Sequence, residues 1–268
     1  MKKKQRKSKN SITIIMTVVL VLIILLVPLY LLSTIINGTK QYKIESRVEQ
    51  VEIHKEKMKE YDVDSWLRVQ GTNIDYPIIF DTGKHKLTDI VDDFLWKLEK
   101  SHEVMDRTLI LGHNIKNVSR KPLITDKTHT RFEQLMSFVY YDFAKDNQYI
   151  QYTMNGKDYL YQIFSVSFAD ERRLVKTGHL TKEELKSYIK QAEEDSYFKY
   201  DVEVDENDKI ITLITCTRFF NGIKSYVFKV EGKMISSKEK AINVDVVIKD
   251  NYKEIENILK GEIINEEV

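Results

Sequence analysis

The amino-acid sequence predicts a mainly β protein, a closed β-barrel with added helices that is preceded by one N-terminal transmembrane helix. Three observations support this prediction. After residue 62 the chain contains many short β-rich runs separated by turns, which is typical of barrels and sandwiches. Asn155-Gly156 lies between two such runs and is a strong hairpin signal. A 25-residue run without charge, from Ile12 to Ile36, follows a basic N-terminus.

The first 36 residues predict a membrane anchor. Residues 1–11 form a basic head with six Lys and Arg side chains and no acid. Residues 12–36 are long enough to cross a bilayer, which takes about 20 apolar residues, and too long for the apolar region of a cleaved signal peptide. Positive charge before the span predicts a cytoplasmic N-terminus and an extracellular remainder. The predicted location is therefore the cell membrane, in a single pass.

The net charge argues against nucleic-acid binding, and the cysteine content argues against an internal disulfide. The net charge is +1, and because the basic head holds six positive charges, the rest of the chain is mildly acidic. Nucleic-acid binding is not expected of such a surface. Cys216 is the only cysteine, so no internal disulfide can form. A lone thiol outside the cell is prone to oxidation, which leaves two interpretations of Cys216, a buried core residue or a functional one.

The N-terminal half of the remaining chain predicts a helix followed by strands. Residues 37–62 form a helical lead-in, because apolar residues recur at near-helical spacing from Tyr42 to Tyr61. A short helix is expected at Thr130–Phe138. The expected strands are Trp66–Val69, Asp75–Ile79, Thr108–Leu111 and the hairpin pair Tyr149–Met154 and Tyr159–Phe164.

The C-terminal half predicts one long helix between strands. The helix runs over Thr181–Tyr200, with Thr181 as N-cap and Glu184 completing a capping box. A buried strand at Lys209–Thr215 ends at Cys216, and Ser225–Val230 is the last clear strand. These boundaries define a β-rich domain at 63–235. They leave an extension at 236–268, which holds a possible helix at Asn251–Leu259 and has no predicted role.

Two of the predicted strands end in residues suited to nucleophilic catalysis. His113 follows Thr-Leu-Ile-Leu-Gly, and Cys216 follows Ile-Thr-Leu-Ile-Thr. A thiol attacks as the thiolate and needs a nearby base or cation. A histidine distant in sequence can supply that base if the fold brings the strands together. Spacing alone leaves the dyad open, since one cysteine and six histidines occur in many proteins.

The local motifs resemble those of one known family. Thr-Leu-Ile-Thr-Cys at 212–216 resembles the cysteine motif of sortases, and Gly-His-Asn at 112–114 resembles their histidine motif. The segment 66–79 resembles the opening strands of class B sortases. The long helix before the cysteine strand also fits class B. The resemblance runs from about residue 44 to 235, in the expected order and behind an N-terminal anchor.

This resemblance implies a sortase-type barrel, with the catalytic domain at 63–235, and a two-step transpeptidase. Cys216 would cleave a Thr–Gly-like bond in a C-terminal sorting signal and form an acyl-thioester. An amine of a cell-wall precursor or a pilin lysine would then resolve it. His113 would protonate the leaving amine and deprotonate the incoming one. Surface proteins or pilins with a sorting signal are the implied partners, and no cofactor or metal is implied.

Sortases carry an arginine on the strand after the cysteine, and this chain has none there. Arg218 is the nearest guanidinium and is predicted to be catalytic. Lys224 stands near the expected place and is predicted to bind substrate, a solvated hairpin residue being the alternative. The two are not equivalent, because Arg offers a planar fork and Lys a point charge. Asn114 is also assigned to the substrate site, where it either orients His113 or caps a turn.

Two alternative functions are also compatible with the sequence. A membrane-anchored cysteine hydrolase of surface proteins would use the same dyad with water as acceptor. A non-enzymatic, surface-exposed β-barrel module would hold an incidental buried cysteine.

The remaining histidines lie in polar segments and are expected to be exposed: His54, His85, His102, His129 and His179.

Overall fold

The computed structural model describes residues 16–29, 42–59, 61–80, 94–99, 101, 103–124, 126, 128–170, 177–220, 226–236 and 241–261. The chain divides into two compact units, Met1–Gln41 and Tyr42–Val268. In the first unit, residues 16–29 form helix α1, whose side chains are exposed. Among the described helices, none has the length and apolar character needed to cross a membrane. The predicted span of 12–36 lies partly outside the described residues.

The second unit is built on a closed barrel, as the sequence predicts. Eight strands close it in the order β1-β2-β3-β4-β8-β9-β6-β5. Two further strands, β7 and β10, form a separate two-stranded sheet. The strands are β1 (Val63–Val69), β2 (Asp75–Phe80), β3 (Leu95–Lys97), β4 (Arg107–Gly112), β5 (Tyr149–Met154), β6 (Lys157–Asp170), β7 (Phe198–Tyr200), β8 (Ile210–Cys216), β9 (Tyr226–Ile235) and β10 (Val246–Ile248).

The hairpin between β5 and β6 turns at the predicted dipeptide. Asn155 and Gly156 have φ of 52° and 70°, and both values lie in the left-handed region. Two left-handed residues in a row produce the tight turn that matches the twist of paired strands. Met154 therefore pairs directly with Lys157, which fixes the register of the whole hairpin.

The four helices predicted after residue 37 occur in the predicted order, with bounds that differ by one to several residues, and a further short helix at Tyr141–Asp146 was not predicted. They are α2 (Val48–Lys57), a 3-10 helix (Glu133–Val139), α3 (Tyr141–Asp146), α4 (Lys182–Asp195) and α5 (Tyr252–Lys260). The capping box of α4 is confirmed, since Thr181 and Glu184 bond each other's backbone N–H groups. The predicted extension of α4 to Tyr200 is wrong. Phe198 and Tyr200 are instead buried on β7, with Lys199 exposed between them, because β10 pairs with this segment.

The C-terminal extension is part of the folded unit. Tyr252, Ile255 and Ile258 of α5 are buried in the main core cluster. The Tyr252 hydroxyl donates to the Val139 carbonyl at 3.0 Å, and its ring lies 5.0 Å from that of Phe198. The described part of residues 236–268 therefore covers core side chains that the barrel strands alone would leave exposed to solvent.

Candidate active site

The two predicted catalytic residues follow neighbouring strands at the same end of the barrel. β4 and β8 are parallel, with Gly112 opposite Thr215. The Thr215 hydroxyl donates to the Gly112 carbonyl at 2.7 Å and secures this register at its last rung. His113 directly follows β4 and Cys216 is the last residue of β8, so their main chains begin about one strand spacing (~4.8 Å) apart. The structure thus brings the backbones of the two predicted catalytic residues together.

Gly112 is required by packing at this strand end. A Cβ atom at Gly112 would lie 2.6 Å from Leu95 Cδ2 and 2.6 Å from Phe132 Cγ, closer than real Cβ contacts allow. Both neighbours are fully buried, so neither can move away cheaply. The glycine of the Gly-His-Asn motif therefore lets core side chains support the backbone just before His113.

The imidazole of His113 is half-buried beside an aromatic ring. Its centroid lies 4.7 Å from that of Trp96, with an interplanar angle of 53°. The His113 carbonyl accepts a hydrogen bond from the Phe132 backbone N–H at 3.2 Å. Trp96 lies on β3, a strand that the sequence did not predict. A single Leu-Trp-Lys triplet is too short for its alternation to be recognised.

Asn114 connects the histidine loop to the cysteine strand. Its side chain is buried, and its Nδ2 donates to the carbonyls of Cys216 at 3.0 Å and of Asn117 at 3.1 Å. Its Oδ1 accepts from the Asn117 backbone N–H at 3.0 Å. The amide therefore caps the turn after His113 and holds the main chain of Cys216. Its predicted substrate-binding role stays a prediction.

The thiol of Cys216 is exposed at the end of β8. The alternative of an incidental thiol buried in a barrel core is therefore wrong. The Arg218 side chain is also exposed, while its backbone N–H donates to the Val118 carbonyl at 3.2 Å. Thr217, between them, is buried. Lys224 lies outside the described residues, so its predicted role and that of Arg218 stay predictions.

The other histidines only partly match the expectation of exposure. His179 is well exposed, His54 is half-buried, and His85 and His102 lie outside the described residues. His129 was expected at the surface and is 3% exposed. It is buried because its loop packs against the barrel, where Asn73 donates to the His129 carbonyl.

A buried charged cluster on the same sheet was missed by the sequence analysis. The Glu231 carboxylate on β9 is fully buried and accepts hydrogen bonds from Ser165 at 3.1 Å, from Thr212 at 3.3 Å and from Tyr188. The Lys229 ammonium lies 3.3 Å from Glu231 Oε2. The guanidinium of Arg107 stacks 3.9 Å from the Tyr188 ring centroid. The cluster thus links four barrel strands to α4.

Burial shifts the pKa values of this cluster. Desolvation raises the pKa of Glu231 to about 7. Desolvation, followed by the nearby Arg107 charge, lowers the pKa of Lys229 to about 8. The sequence signal for the pair is Lys-Val-Glu at 229–231, but the predicted strand ends at Val230, so Glu231 lies just beyond its predicted bounds. Among the described residues, no group of three or more His, Cys, Asp and Glu side chains could hold a metal ion.

Comparison with known proteins identifies one family for this chain. The family model described as Sortase domain matches residues 67–248. Sortase B of Listeria monocytogenes is 25% identical over 169 residues, which cover 58% of this chain and 63% of that protein. The chain therefore spans somewhat less than two thirds of the length of this curated relative.

Solved structures show the same fold. The X-ray structure of Clostridium perfringens sortase B superposes with a TM-score of 0.56 and 26% identity, covering 69% of this chain and all of that one. The crystal structure of sortase B from the type II pilus of Streptococcus pneumoniae superposes with a TM-score of 0.54 and 21% identity, covering 68% and 97%. The barrel fold of this chain is similar to the folds of these two proteins.

Proposed function

Because the chain belongs to the sortase family, and to its class B branch, we propose that it is a transpeptidase that cleaves C-terminal sorting signals and transfers the acyl group to an amine. The observation that supports this proposal most directly is the pairing of β4 with β8, because it brings the main chain of His113 close to that of Cys216, whose side chain is exposed. A thiol nucleophile with an adjacent acid/base group is the minimum requirement for acyl transfer through a thioester.

The proposed reaction has two steps. The Cys216 thiolate attacks the carbonyl of a Thr–Gly-like bond, and a thioester forms as the C–N bond breaks. The leaving amine takes a proton from His113. In the second step His113 removes a proton from the incoming amine, which attacks the thioester and releases Cys216. Both steps need His113 to alternate between acid and base.

The proposed substrates are surface proteins or pilins with a sorting signal. The acceptor is the amine of a cell-wall precursor or of a pilin lysine. One similar structure is the sortase B of a type II pilus, but at 21% identity it supports only the fold. Wall anchoring and pilus polymerisation therefore remain two versions of one proposal, distinguished by which amine is used.

The proposed location is the cell membrane, with residues 12–36 as a single-pass anchor. The support is the sequence, an uncharged run preceded by six basic residues. This topology predicts that protease added to intact, wall-stripped cells digests the region after Asn37. Complete protection of that region, with control surface proteins digested, would overturn the topology.

The activity test uses the full chain in mild detergent with a library of peptides that carry a Thr–Gly bond. Reactions run with and without triglycine or a lysine-containing peptide and are read by mass spectrometry. A transpeptidase gives the acyl–amine product when an amine is present. A hydrolase gives only the free acid in both conditions, and that result would support the membrane-anchored hydrolase instead.

Cys216→Ala is the matched control for this assay. The side chain is exposed, so its truncation should leave the melting temperature unchanged. Cleavage and the thioester adduct, visible as an added acyl mass on the intact chain, should both disappear. Turnover by Cys216→Ala equal to the wild type would reject Cys216 as the nucleophile.

A further inference from the structure

Trp96 lies on the face of the barrel sheet that carries the proposed nucleophile. Trp96 of β3 pairs with Leu111 of β4, which in turn pairs with Ile214 of β8. Paired residues project to the same face of a sheet, and so do residues two apart on one strand. His113 lies two residues after Leu111, and Cys216 lies two residues after Ile214. The register therefore places the indole diagonally across from the imidazole.

The contact between the indole of Trp96 and the imidazole of His113 is close. The ring centroids are 4.7 Å apart and the planes are inclined at 53°, which is within the range of favourable aromatic pairs. Both side chains are partly exposed, so the contact lies at the surface of the site. An indole also attracts a nearby cation, and in the proposed reaction the imidazole is a cation whenever it is about to act as the acid.

The indole of Trp96 is supported from behind by a small apolar cluster. Val63, Ile79 and Phe94 form the buried part of this cluster, and Trp96 packs against it. Ile79 also pairs directly with Trp96 in the parallel ladder of β2 and β3. Because buried neighbours in a closely packed region move little, the indole presents a fixed surface to the imidazole.

Hydrogen bonds fix the main chain around His113, but they do not orient its ring. The Phe132 N–H donates to the His113 carbonyl at 3.2 Å, and the Asn114 side chain donates to the Cys216 carbonyl at 3.0 Å. Rotation about the Cα–Cβ and Cβ–Cγ bonds of His113 would still move the imidazole relative to the thiol. The contact with Trp96 restricts that rotation.

We propose that Trp96 is a positioning residue, whose indole holds the imidazole of His113 in the orientation that exchanges protons with Cys216 and the reacting amines. This inference rests on the proposed function and adds a residue to its acid/base machinery. A general acid/base works only within hydrogen-bond reach of the proton that it transfers. An imidazole that turns away would therefore slow both steps of acyl transfer without weakening the binding of the peptide.

The discriminating substitution is Trp96→Leu in the full chain, with Trp96→Phe as its conservative counterpart. Leucine keeps an apolar side chain against the cluster and removes the ring, whereas phenylalanine retains a ring. In the peptide cleavage assay, Trp96→Leu should lower kcat by about tenfold or more, the effect of misplaced reacting groups, and leave KM nearly unchanged. Trp96→Phe should stay within about threefold of the wild-type kcat.

Alkylation of Cys216 by iodoacetamide measures the same alignment without any peptide. The thiolate is the reactive form, and a neighbouring imidazolium favours it. Trp96→Leu should therefore be alkylated more slowly than the wild type, by about threefold or more. In a His113→Ala background the same substitution should have no effect, because Trp96 acts through the imidazole.

Trp66→Leu is the matched control, because this tryptophan also contacts a histidine. Its ring lies 4.8 Å from that of His54. Trp66 is buried and its indole N–H donates to Asp75, so the control should lower the melting temperature. The kcat and the alkylation rate of the folded protein should stay at the wild-type values.

Wild-type kcat and alkylation rates in Trp96→Leu would overturn the inference, and so would the same alkylation loss with and without the imidazole of His113. A loss in Trp96→Phe as large as that in Trp96→Leu would also overturn it. If Trp96→Leu does not fold, Trp96→Met takes its place, because a flexible side chain fits irregular gaps. Failure of the wild type to cleave any peptide would overturn the proposed function, and the alkylation rates would still decide whether Trp96 orients His113.

Discussion

The side-chain amide of Asn114 donates a hydrogen bond to the main-chain carbonyl of Cys216, with 3.0 Å between Nδ2 and O. This bond joins the residue after the proposed acid/base to the backbone of the proposed nucleophile. It crosses between β4 and β8 just beyond their last paired rung, Gly112 with Thr215. The relative position of His113 and Cys216 therefore depends on a side chain, as well as on the strand ladder.

Asn114→Ala should weaken both the fold and the reaction. The substitution removes three hydrogen bonds and leaves main-chain groups of Cys216 and Asn117 without this partner, so the free energy of unfolding should fall by about 1–3 kcal/mol. Turnover should fall by up to about 10², because small misplacement of reacting groups costs rate. Thermal melts and steady-state cleavage give the two numbers.

The control for Asn114→Ala is Ile115→Ala, at the next, exposed position. It should change neither quantity much. If Asn114→Ala melts earlier but keeps full kcat, the amide supports the loop without aligning the dyad.

His113→Ala should reduce turnover by about 10² or more, the usual effect of losing a general acid/base. The ring is half-buried against Trp96, so a modest loss of stability is also expected and must be measured by thermal melts. His179→Ala and His54→Ala serve as controls and should remain near the wild-type rate. Near-normal activity of His113→Ala, with a large loss in one control, would assign the acid/base role to that other histidine.

Local features of this fold were predictable from sequence, whereas features set by distant contacts were not. The Asn155-Gly156 turn and the capping box of α4 were predicted correctly, because each depends on residues within three positions of one another. The segment 198–200 was taken as helix, because only its pairing with β10, nearly 50 residues later, makes it a strand. The β-propensity of a segment gives no information about a pairing strand that lies so far away in the sequence.

The same distinction between local features and distant contacts applies to the candidate site. His113 and Cys216 could be found because each ends a recognisable strand. Lys229 and Glu231 could not be found in this way. The two residues form a buried cluster only because α4 covers them and Tyr188 donates a hydrogen bond to Glu231. The burial of His129 was likewise invisible in a polar segment of sequence.

The buried Glu231 predicts a pH-dependent stability. Desolvation raises its pKa from 4.5 to about 7, so the folded protein holds this proton more tightly than the unfolded chain does. That stabilisation is complete below about pH 4.5 and is lost as pH rises through about 7. The melting temperature of the wild type relative to Glu231→Gln should therefore decline between those pH values.

Glu194→Gln, on an exposed part of α4, is the control for this series. Its melting curve should run parallel to that of the wild type across the same range. A wild-type advantage over Glu231→Gln that grows with pH would mean that the ion pair with Lys229 dominates the burial of the carboxylate.

The cation that holds the reacting carbonyl can be identified by comparing Arg218 with Lys224. Arg218 is exposed two residues after Cys216, and a guanidinium can grip an oxyanion at two points. Lys224 stands nearer the expected position in sequence but offers only a point charge. Losing one preorganised oxyanion donor costs about 10²–10³ in turnover. We therefore expect Arg218→Ala to fall in that range and Lys224→Ala to fall by less than about tenfold.

Steady-state cleavage by the two variants decides between the cations, with thermal melts to exclude unfolding. The Arg218 backbone N–H is bonded to the Val118 carbonyl at 3.2 Å, so truncation of the exposed side chain should leave the loop in place. A rate loss can then be attributed to the guanidinium itself. The reverse order of effects would assign the oxyanion to Lys224. No loss in either variant would mean that a backbone N–H group stabilises the oxyanion.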